Sequence, residues 1–319
     1  MKKNYSNIFP FNKKILNKTV KVLNKEDVVG LPTETVYGLA GNAYSKKAIT
    51  KIFRLKKRPK FNPLIIHYFN IKQIFKDVEI NNNFIKLYKK LCPGPITFIL
   101  KKKKDSNINH FACAKLETVA IRFPNHKVAR SILKNINYPL AMPSANISSN
   151  VSPVCAKDVY EEFKKKVKLV VDGGRSKIGI ESSVIDLTDK PKILRPGLIN
   201  SSIIEKILKL KIKKNKENSK IRSPGLLKKH YSPGIPVKIN QTKPDNESAF
   251  IYLGNRYKNK KKFFSLSKNS DLNEAASNLY RILRLIKKRG YKKIQIGRIP
   301  LKGSGFAIND RIKRAASHN

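Results

Sequence analysis

Along the chain, apolar positions switch repeatedly between a spacing near 3.6 and short continuous runs, the signatures of helices and buried strands. Ile15, Leu16, Thr19, Val20 and Leu23 share one helical face, and Val28 to Leu31 then reads as a strand. Ala48, Ile49, Ile52 and Phe53 repeat the helical spacing before a buried strand over Pro63 to Tyr68. Further helices are predicted over Asn82 to Leu91, Lys127 to Lys134 and Ala156 to Val167. Strands are predicted near Ile96 to Lys101, Thr118 to Phe123, Leu169 to Asp172, Ser183 to Leu187 and Ile193 to Arg195. Such interleaving predicts an α/β domain built around one sheet. Ile203, Ile204, Ile207 and Leu208 mark a last helix, and the lysine-rich stretch Lys211 to Arg222 that follows reads as a linker. Beyond it lie a strand at Ala249 to Leu253, a long helix with Leu272, Ala275, Ala276, Leu279, Leu283 and Ile286 on one face, and a strand at Lys293 to Ile299. That succession predicts a small βαβ-like second domain. The expected division is 1–211, a linker at 212–236, and 237–319.

Composition narrows the classes. A length of 319 residues with 40% hydrophobic content fits two domains. The 69 Lys and Arg against 21 Asp and Glu leave a formal charge of +48. A polyanionic partner, nucleic acid or nucleotide phosphate, is one reading of that excess; compositional drift onto solvated faces is the other, since lysines and asparagines fill every loop. Cys92, Cys113 and Cys155 are an odd number with no metal-ligand or disulfide spacing. No apolar stretch is long enough for a signal peptide core or a membrane span, so a soluble cytoplasmic protein is expected.

Candidate chemistry gathers at strand ends. Pro32-Thr33-Glu34-Thr35-Val36-Tyr37-Gly38-Leu39 puts two hydroxyls, a carboxylate and a glycine where open α/β sheets bind ligands, although a capped strand-to-helix turn accounts for it equally. Lys56-Lys57-Arg58-Pro59-Lys60 packs four cations into five residues beside a proline stop. The helix dipole favours cations there without any ligand, yet their mutual repulsion suits a phosphate clamp with Arg58 as a planar fork. His67 follows in the next strand and reads as structural or functional. Period-two alternation puts Thr118, Ala120 and Arg122 on one strand face. Buried without a partner Arg122 would be costly, so it either lines an anion-holding cavity or stands in water. Pro143-Ser144-Ala145-Asn146, with Ser152-Pro153 after it, can offer hydroxyls and N–H groups to phosphate or form ordinary turns, as can Glu181-Ser182-Ser183 and Leu194-Arg195-Pro196-Gly197. Ser223-Pro224-Gly225 and His230-Tyr231-Ser232-Pro233-Gly234 lend the linker fixed turns, as a lid or as a spacer.

Taken in order, these segments resemble the YrdC-type threonylcarbamoyl-AMP synthases in their long two-domain form, from about Val28 onward. The most specific pieces are Pro32 to Leu39, Lys56-x-Arg58-Pro59 with Asn62-Pro63-Leu64, Pro143 to Asn146, Glu181 to Ser183, Leu194 to Gly197 and His230 to Pro233. The ending Gly305-Phe-Ala-Ile-Asn309 with Arg311 is similar to the family's C-terminal domain, so a complete chain is expected. The resemblance implies a twisted mixed α/β sheet around a deep basic cavity, plus a smaller Rossmann-like α/β domain. It also implies condensation of L-threonine, bicarbonate and ATP to threonylcarbamoyl-adenylate and pyrophosphate. A downstream transferase then modifies an adenosine next to the anticodon of tRNA, and direct tRNA binding is left open. Carried over position by position, the threonine pocket comprises Thr35, His67, Arg122, the backbone at Met142, and Ser182. The ATP side comprises Lys56, Arg58, Asn62, Thr118, Ser144, Ser152, Arg195 and Tyr231. Met142 stands where relatives usually have a smaller residue.

Reaction of a carbamate at the α-phosphorus needs positioning and charge neutralisation more than a strong base. No acidic cluster is legible that would bind metal alone, so Mg2+ is expected only through phosphate oxygens. Two rivals remain: a non-catalytic nucleic-acid binder resting on the charge, and a carbamoyl-transfer module like those of hydrogenase maturation, for which the chain lacks the length and cysteines.

Overall fold

The order of elements follows the apolar pattern closely. A computed structural model of the protein describes residues 5–214, 230–257 and 261–317. The chain opens with β1 (Ile8–Pro10) and α1 (Lys13–Asn24), the helix capped by Asn12, whose side chain accepts the Ile15 N–H at 2.9 Å. There follow β2 (Val29–Leu31), β3 (Gly38–Asn42), α2 (Lys46–Lys56), β4 (Ile65–His67), α3 (Asn82–Leu91), β5 (Ile96–Lys101) and β6 (Thr118–Arg122). Next come α4 (Lys127–Lys134), β7 (Leu140–Ala141), α5 (Ala156–Phe163), β8 (Val170–Asp172), β9 (Ser183–Asp186), β10 (Lys192–Arg195), α6 (Ser201–Leu208) and β11 (Lys213–Lys214). Among the described residues these eleven strands form one mixed sheet in the order β1-β8-β2-β3-β7-β4-β6-β5-β9-β10-β11.

Both faces of this sheet are covered, and successive residues of a strand enter different cores as the pleat requires. Val28, Leu39 and Val170 join one cluster with Ile52 of α2 and Phe84 of α3. Val29, Ala40 and Val171 join the other with Leu23 of α1 and Ile132 of α4. The sequence pattern differs from the structure at three places. Helix α5 stops at Phe163 rather than Val167, because Lys164 turns left-handed at φ +51°. Strand β11 lies inside the stretch read as linker and pairs in parallel with β10. Strands β1, β3 and β7 carry too little local signal to be read in advance.

The second domain holds β12 (Val237–Lys238), β13 (Ala249–Tyr252), β14 (Phe263–Ser265), α7 (Leu272–Lys288), β15 (Ile294–Ile296) and α8 (Gly305–Ala316). Its sheet runs β12-β15-β13-β14 with every pair parallel. The α7 face read from the sequence packs there, and the same apolar cluster reaches into the first domain through Val36, Val151, Val154 and Ile180. The two domains therefore share buried surface beside the loops that carry the candidate chemistry. The expected turn at Ser223-Pro224-Gly225 lies outside the described residues.

Candidate active site at the strand ends

The turn between β2 and β3 is locked by its own hydroxyls. Thr33 Oγ1 donates to the Val36 carbonyl at 2.6 Å and accepts the Thr35 and Val36 N–H groups at 3.2 Å each. Strand β6 then delivers Arg122 against this turn: its guanidinium donates to Thr35 Oγ1 at 2.8 Å and to Glu34 Oε1 at 2.6 Å. That contact answers the question raised by an arginine within a central strand. Arg122 is 4% exposed, and its charge is met by a carboxylate rather than by water. His67 lies beside it in register on β4, with Nδ1 3.1 Å from the Ile65 carbonyl. Burial, and secondarily Arg122, hold its pKa well below the ordinary histidine value, so the ring is neutral.

Across the sheet Thr97 Oγ1 and Ser182 Oγ lie 2.8 Å apart, and Arg195 from the end of β10 reaches the Ser182 carbonyl and hydroxyl at 3.1 Å each. Gly197 has a packing reason: a Cβ there would stand 2.4 Å from the Ser183 nitrogen. Arg58 is directed by its own turn, donating to the Asn62 carbonyl, the Asn62 side chain and the Pro63 carbonyl at 2.9, 2.6 and 2.8 Å. Burial and then the neighbouring Arg195 bring the Arg58 pKa down to about 9. Like charges held this close in a dry site are poised for an anion.

Between these groups lies a cavity that opens to solvent. Of the expected threonine-side residues, Thr35, His67, Arg122, Met142 and Ser182 all line it. Of the expected ATP-side residues, Arg58, Ser144, Arg195 and Tyr231 do. Four others stand behind or away from the wall. Lys56 is 1% exposed and donates to the Ser144 and Asn146 carbonyls at 2.5 Å each, so it fastens the serine loop. Asn62 orients Arg58, and Ser152 Oγ donates to Glu181 Oε1 at 2.6 Å. Thr118 opens β6, four residues before Arg122, and is only half-buried there.

The site residues not singled out individually from the sequence are Glu181 and His230, both on the cavity wall. Burial opposes the charge on Glu181, but Arg311 and Arg195, with hydrogen bonds from Ser152 and Tyr280, outweigh it and hold the carboxyl at about 2. His230 is buried and neutral, its pKa driven down to about 3 by desolvation. Tyr231 is fully buried at φ +65° and stacks on Tyr280, with ring centroids 5.6 Å apart. Both residues sit in motifs legible in the sequence; what was not legible is which side chain of each motif turns inward.

A mixed sheet in which two strand-end arginines, Arg122 and Arg195, and Arg58 from the turn after α2 converge on one cavity defines an α/β protein built to hold a small, multiply anionic ligand. A family model for Sua5/YciO/YrdC proteins, described as telomere recombination, matches residues 21–197. One described as the C-terminal domain of threonylcarbamoyl-AMP synthase matches residues 199–317. The chain belongs to this family. It is 34% identical to threonylcarbamoyl-AMP synthase of Pyrococcus abyssi, covering 91% of each chain. It is also 34% identical to that of Bacillus subtilis, covering 92% of this chain and 91% of the other. The crystal structure of P. abyssi Sua5 complexed with L-threonine superposes with a TM-score of 0.89 at 31% identity, covering 98% of this chain and 97% of that one. The fold class and the two-domain architecture expected from the sequence are those of that relative.

Proposed function

We propose that the chain condenses L-threonine, bicarbonate and ATP to L-threonylcarbamoyladenylate and pyrophosphate, for N6-threonylcarbamoyladenosine modification of tRNA next to the anticodon. The observation that carries the reading is the convergence of Arg58, Arg122 and Arg195 on one cavity beside the Thr35 and Ser182 hydroxyls. In the proposed assignment Thr35, His67, Arg122, the Met142 backbone and Ser182 hold threonine, with Arg122 facing its carboxylate. Arg58, Ser144, Arg195 and Tyr231 face the nucleotide, backed by Lys56, Asn62 and Ser152; Thr118 belongs to this set by resemblance alone. In the proposed division residues 1–211, extended by β11 of the same sheet, form the catalytic domain, the segment up to residue 236 is the linker, and 237–319 form the C-terminal domain.

The amine of threonine attacks the carbon of CO2 derived from bicarbonate and gives up a proton, which leaves a carbamate. A carbamate oxygen then attacks the α-phosphorus of ATP, the bond to the bridging oxygen breaks, and pyrophosphate departs. Charge spreads over phosphate oxygens in that step, and preorganised guanidinium groups in a water-poor site stabilise it without reorganisation. The buried carboxylates Glu34 and Glu181 are each engaged by an arginine, so a Mg2+ ion would come with the nucleotide and would supply further neutralisation of phosphate charge. In this reading the enzyme acts in the cytoplasm and a downstream transferase consumes its product; among the described residues no helix is long and apolar enough to cross a membrane.

Pyrophosphate release from ATP, with threonine and bicarbonate each omitted in turn, tests the reading. Release is expected only with both present, and Arg58→Ala and Arg122→Ala are each expected to abolish it in a folded protein. Release that ignores both omissions overturns the function, and near-normal turnover in either variant overturns the site.

A further inference from the structure

The serine-rich segment that ends in Ser152 is held from the second domain, through a carboxylate that lies outside the cavity. Glu162 on α5 accepts the Ile147 N–H and the Asn150 side-chain N–H through one oxygen, at 3.0 Å each. Its other oxygen accepts from Arg284 of α7 at 2.9 Å. The same Arg284 nitrogen also donates to the Val151 carbonyl. One guanidinium of the second domain therefore grips Ile147–Val151 twice, once directly and once through Glu162. Both partners are largely buried, with side-chain exposures of 15% and 9%.

The neighbouring contacts point the same way. Ser152 is fixed by Glu181, which in turn accepts from Tyr280 of α7 at 2.8 Å and from Arg311 of α8 at 3.0 Å. Ser232 donates its N–H to the Ser149 carbonyl at 2.7 Å. From the opposite side Lys56 fastens the Ser144 and Asn146 carbonyls. Backbone between Ser144 and Ser152 is thus clamped between the catalytic sheet and the second domain. Among the described residues, neither hydrogen-bond partner of Arg284 lies on the cavity wall.

We propose that Arg284 is a positioning residue for nucleotide binding: through Glu162 and the Val151 carbonyl, the second domain sets the segment that presents Ser144 to the cavity and anchors Ser152 behind its wall. The inference rests on the assignment of those serines to the nucleotide side. It gives the second domain a reason to stay packed against the catalytic one. Hydroxyls and N–H groups aimed at phosphate oxygens lose their value when displaced by a fraction of an ångström, so a clamp outside the site governs affinity inside it.

The test uses the full chain and two readouts: affinity for a non-hydrolysable ATP analogue, and KM for ATP and threonine in pyrophosphate release. Arg284→Met is expected to weaken analogue binding and raise KM for ATP about tenfold, with kcat and KM for threonine within about twofold of the parent. Glu162→Gln is expected to lose part of the same affinity, and the double variant to lose less than the sum of the two single losses, because the two residues share one contact. Arg284→Lys keeps the charge but not the fork, and an intermediate loss is expected. Parental analogue affinity in folded Arg284→Met overturns the inference, as does an equal loss on threonine and kcat, or additive losses in the double variant. Should Arg284→Met fail to fold, Arg284→Lys is read by the same criterion, and unchanged affinity there overturns it. Analogue binding does not require turnover, so a parent protein that binds the analogue without threonine-dependent release sinks the proposed reaction and leaves this inference standing.

Discussion

Met142 and Gly38 form a matched pair. The methionine lines the cavity, and the glycine opposite has no room for a side chain: a Cβ there would lie 2.2 Å from Met142 Cγ and 2.8 Å from its sulfur. The bulk of Met142 is therefore housed by a neighbour with no side chain to displace. Gly38→Ala should push the methionine toward the pocket and raise KM for threonine about tenfold, because a misplaced wall costs binding steeply. Combining it with Met142→Ala should restore most of the loss. An unchanged KM in folded Gly38→Ala would refute the pairing. The size of residue 142 was legible in the sequence, whereas its partner was not, since 104 positions separate them and no periodicity links them.

At the scale of elements, α2 repays the closest attention because its last turn leads directly into the clamp. Ser45 Oγ accepts the Ala48 N–H at 3.0 Å and starts the helix; Lys57 at φ +49° ends it before Pro59. Removing the cap with Ser45→Ala should cost about 1 kcal/mol of stability in a denaturant titration, with turnover at low temperature retained. Loss of turnover without loss of stability would show that the helix start bears on the site directly. Helices such as α2, α3 and α7 were legible because burying an apolar stripe imposes a spacing that survives in the sequence. Strand β3 reads Gly-Leu-Ala-Gly-Asn and has little intrinsic preference for extension; pairing with β2 and β7 decides it. Helix α8 carries Ala307, Ile308, Ile312 and Ala315 on one face, interrupted by a wholly buried Arg311. That interruption resolves only when Glu181, 130 residues earlier, is seen beside it.

Over the whole molecule, the excess of cations leaves few acids, and among the described residues Glu34, Asp77, Glu181 and Asp186 are buried. Asp77 is fully buried and accepts from the Tyr44, Tyr68 and Ser106 hydroxyls at 2.8, 2.8 and 2.9 Å. Buried ionisable groups also set the response to acid. His67 and His230 are neutral in the fold, while the unfolded chain takes up protons near the ordinary value of 6.5. Below that pH the unfolded state binds more protons, so stability falls as pH drops, down to about 3 for His230. Glu181 acts in the same direction at lower pH: its contribution is present above the ordinary carboxyl value of 4.5 and is lost as pH falls toward about 2. Urea midpoints should therefore decline from pH 7 to pH 5, by about 1.4 kcal/mol per pH unit for each histidine well below its unfolded pKa. His230→Gln should flatten the decline, and a parental slope in that variant would contradict the assignment. By itself the sequence determined most of the helices, the longer strands, the two-domain plan and the loops where chemistry gathers, since each depends on local spacing or on a run of specific residues. Only the tertiary structure decided that Lys56 faces carbonyls, that Thr118 stands off the cavity wall, and that Arg284 and Arg311 reach into the first domain. Those choices follow from contacts between residues far apart in the chain, where burial forces each charge to find a partner and local pattern carries no record of which one.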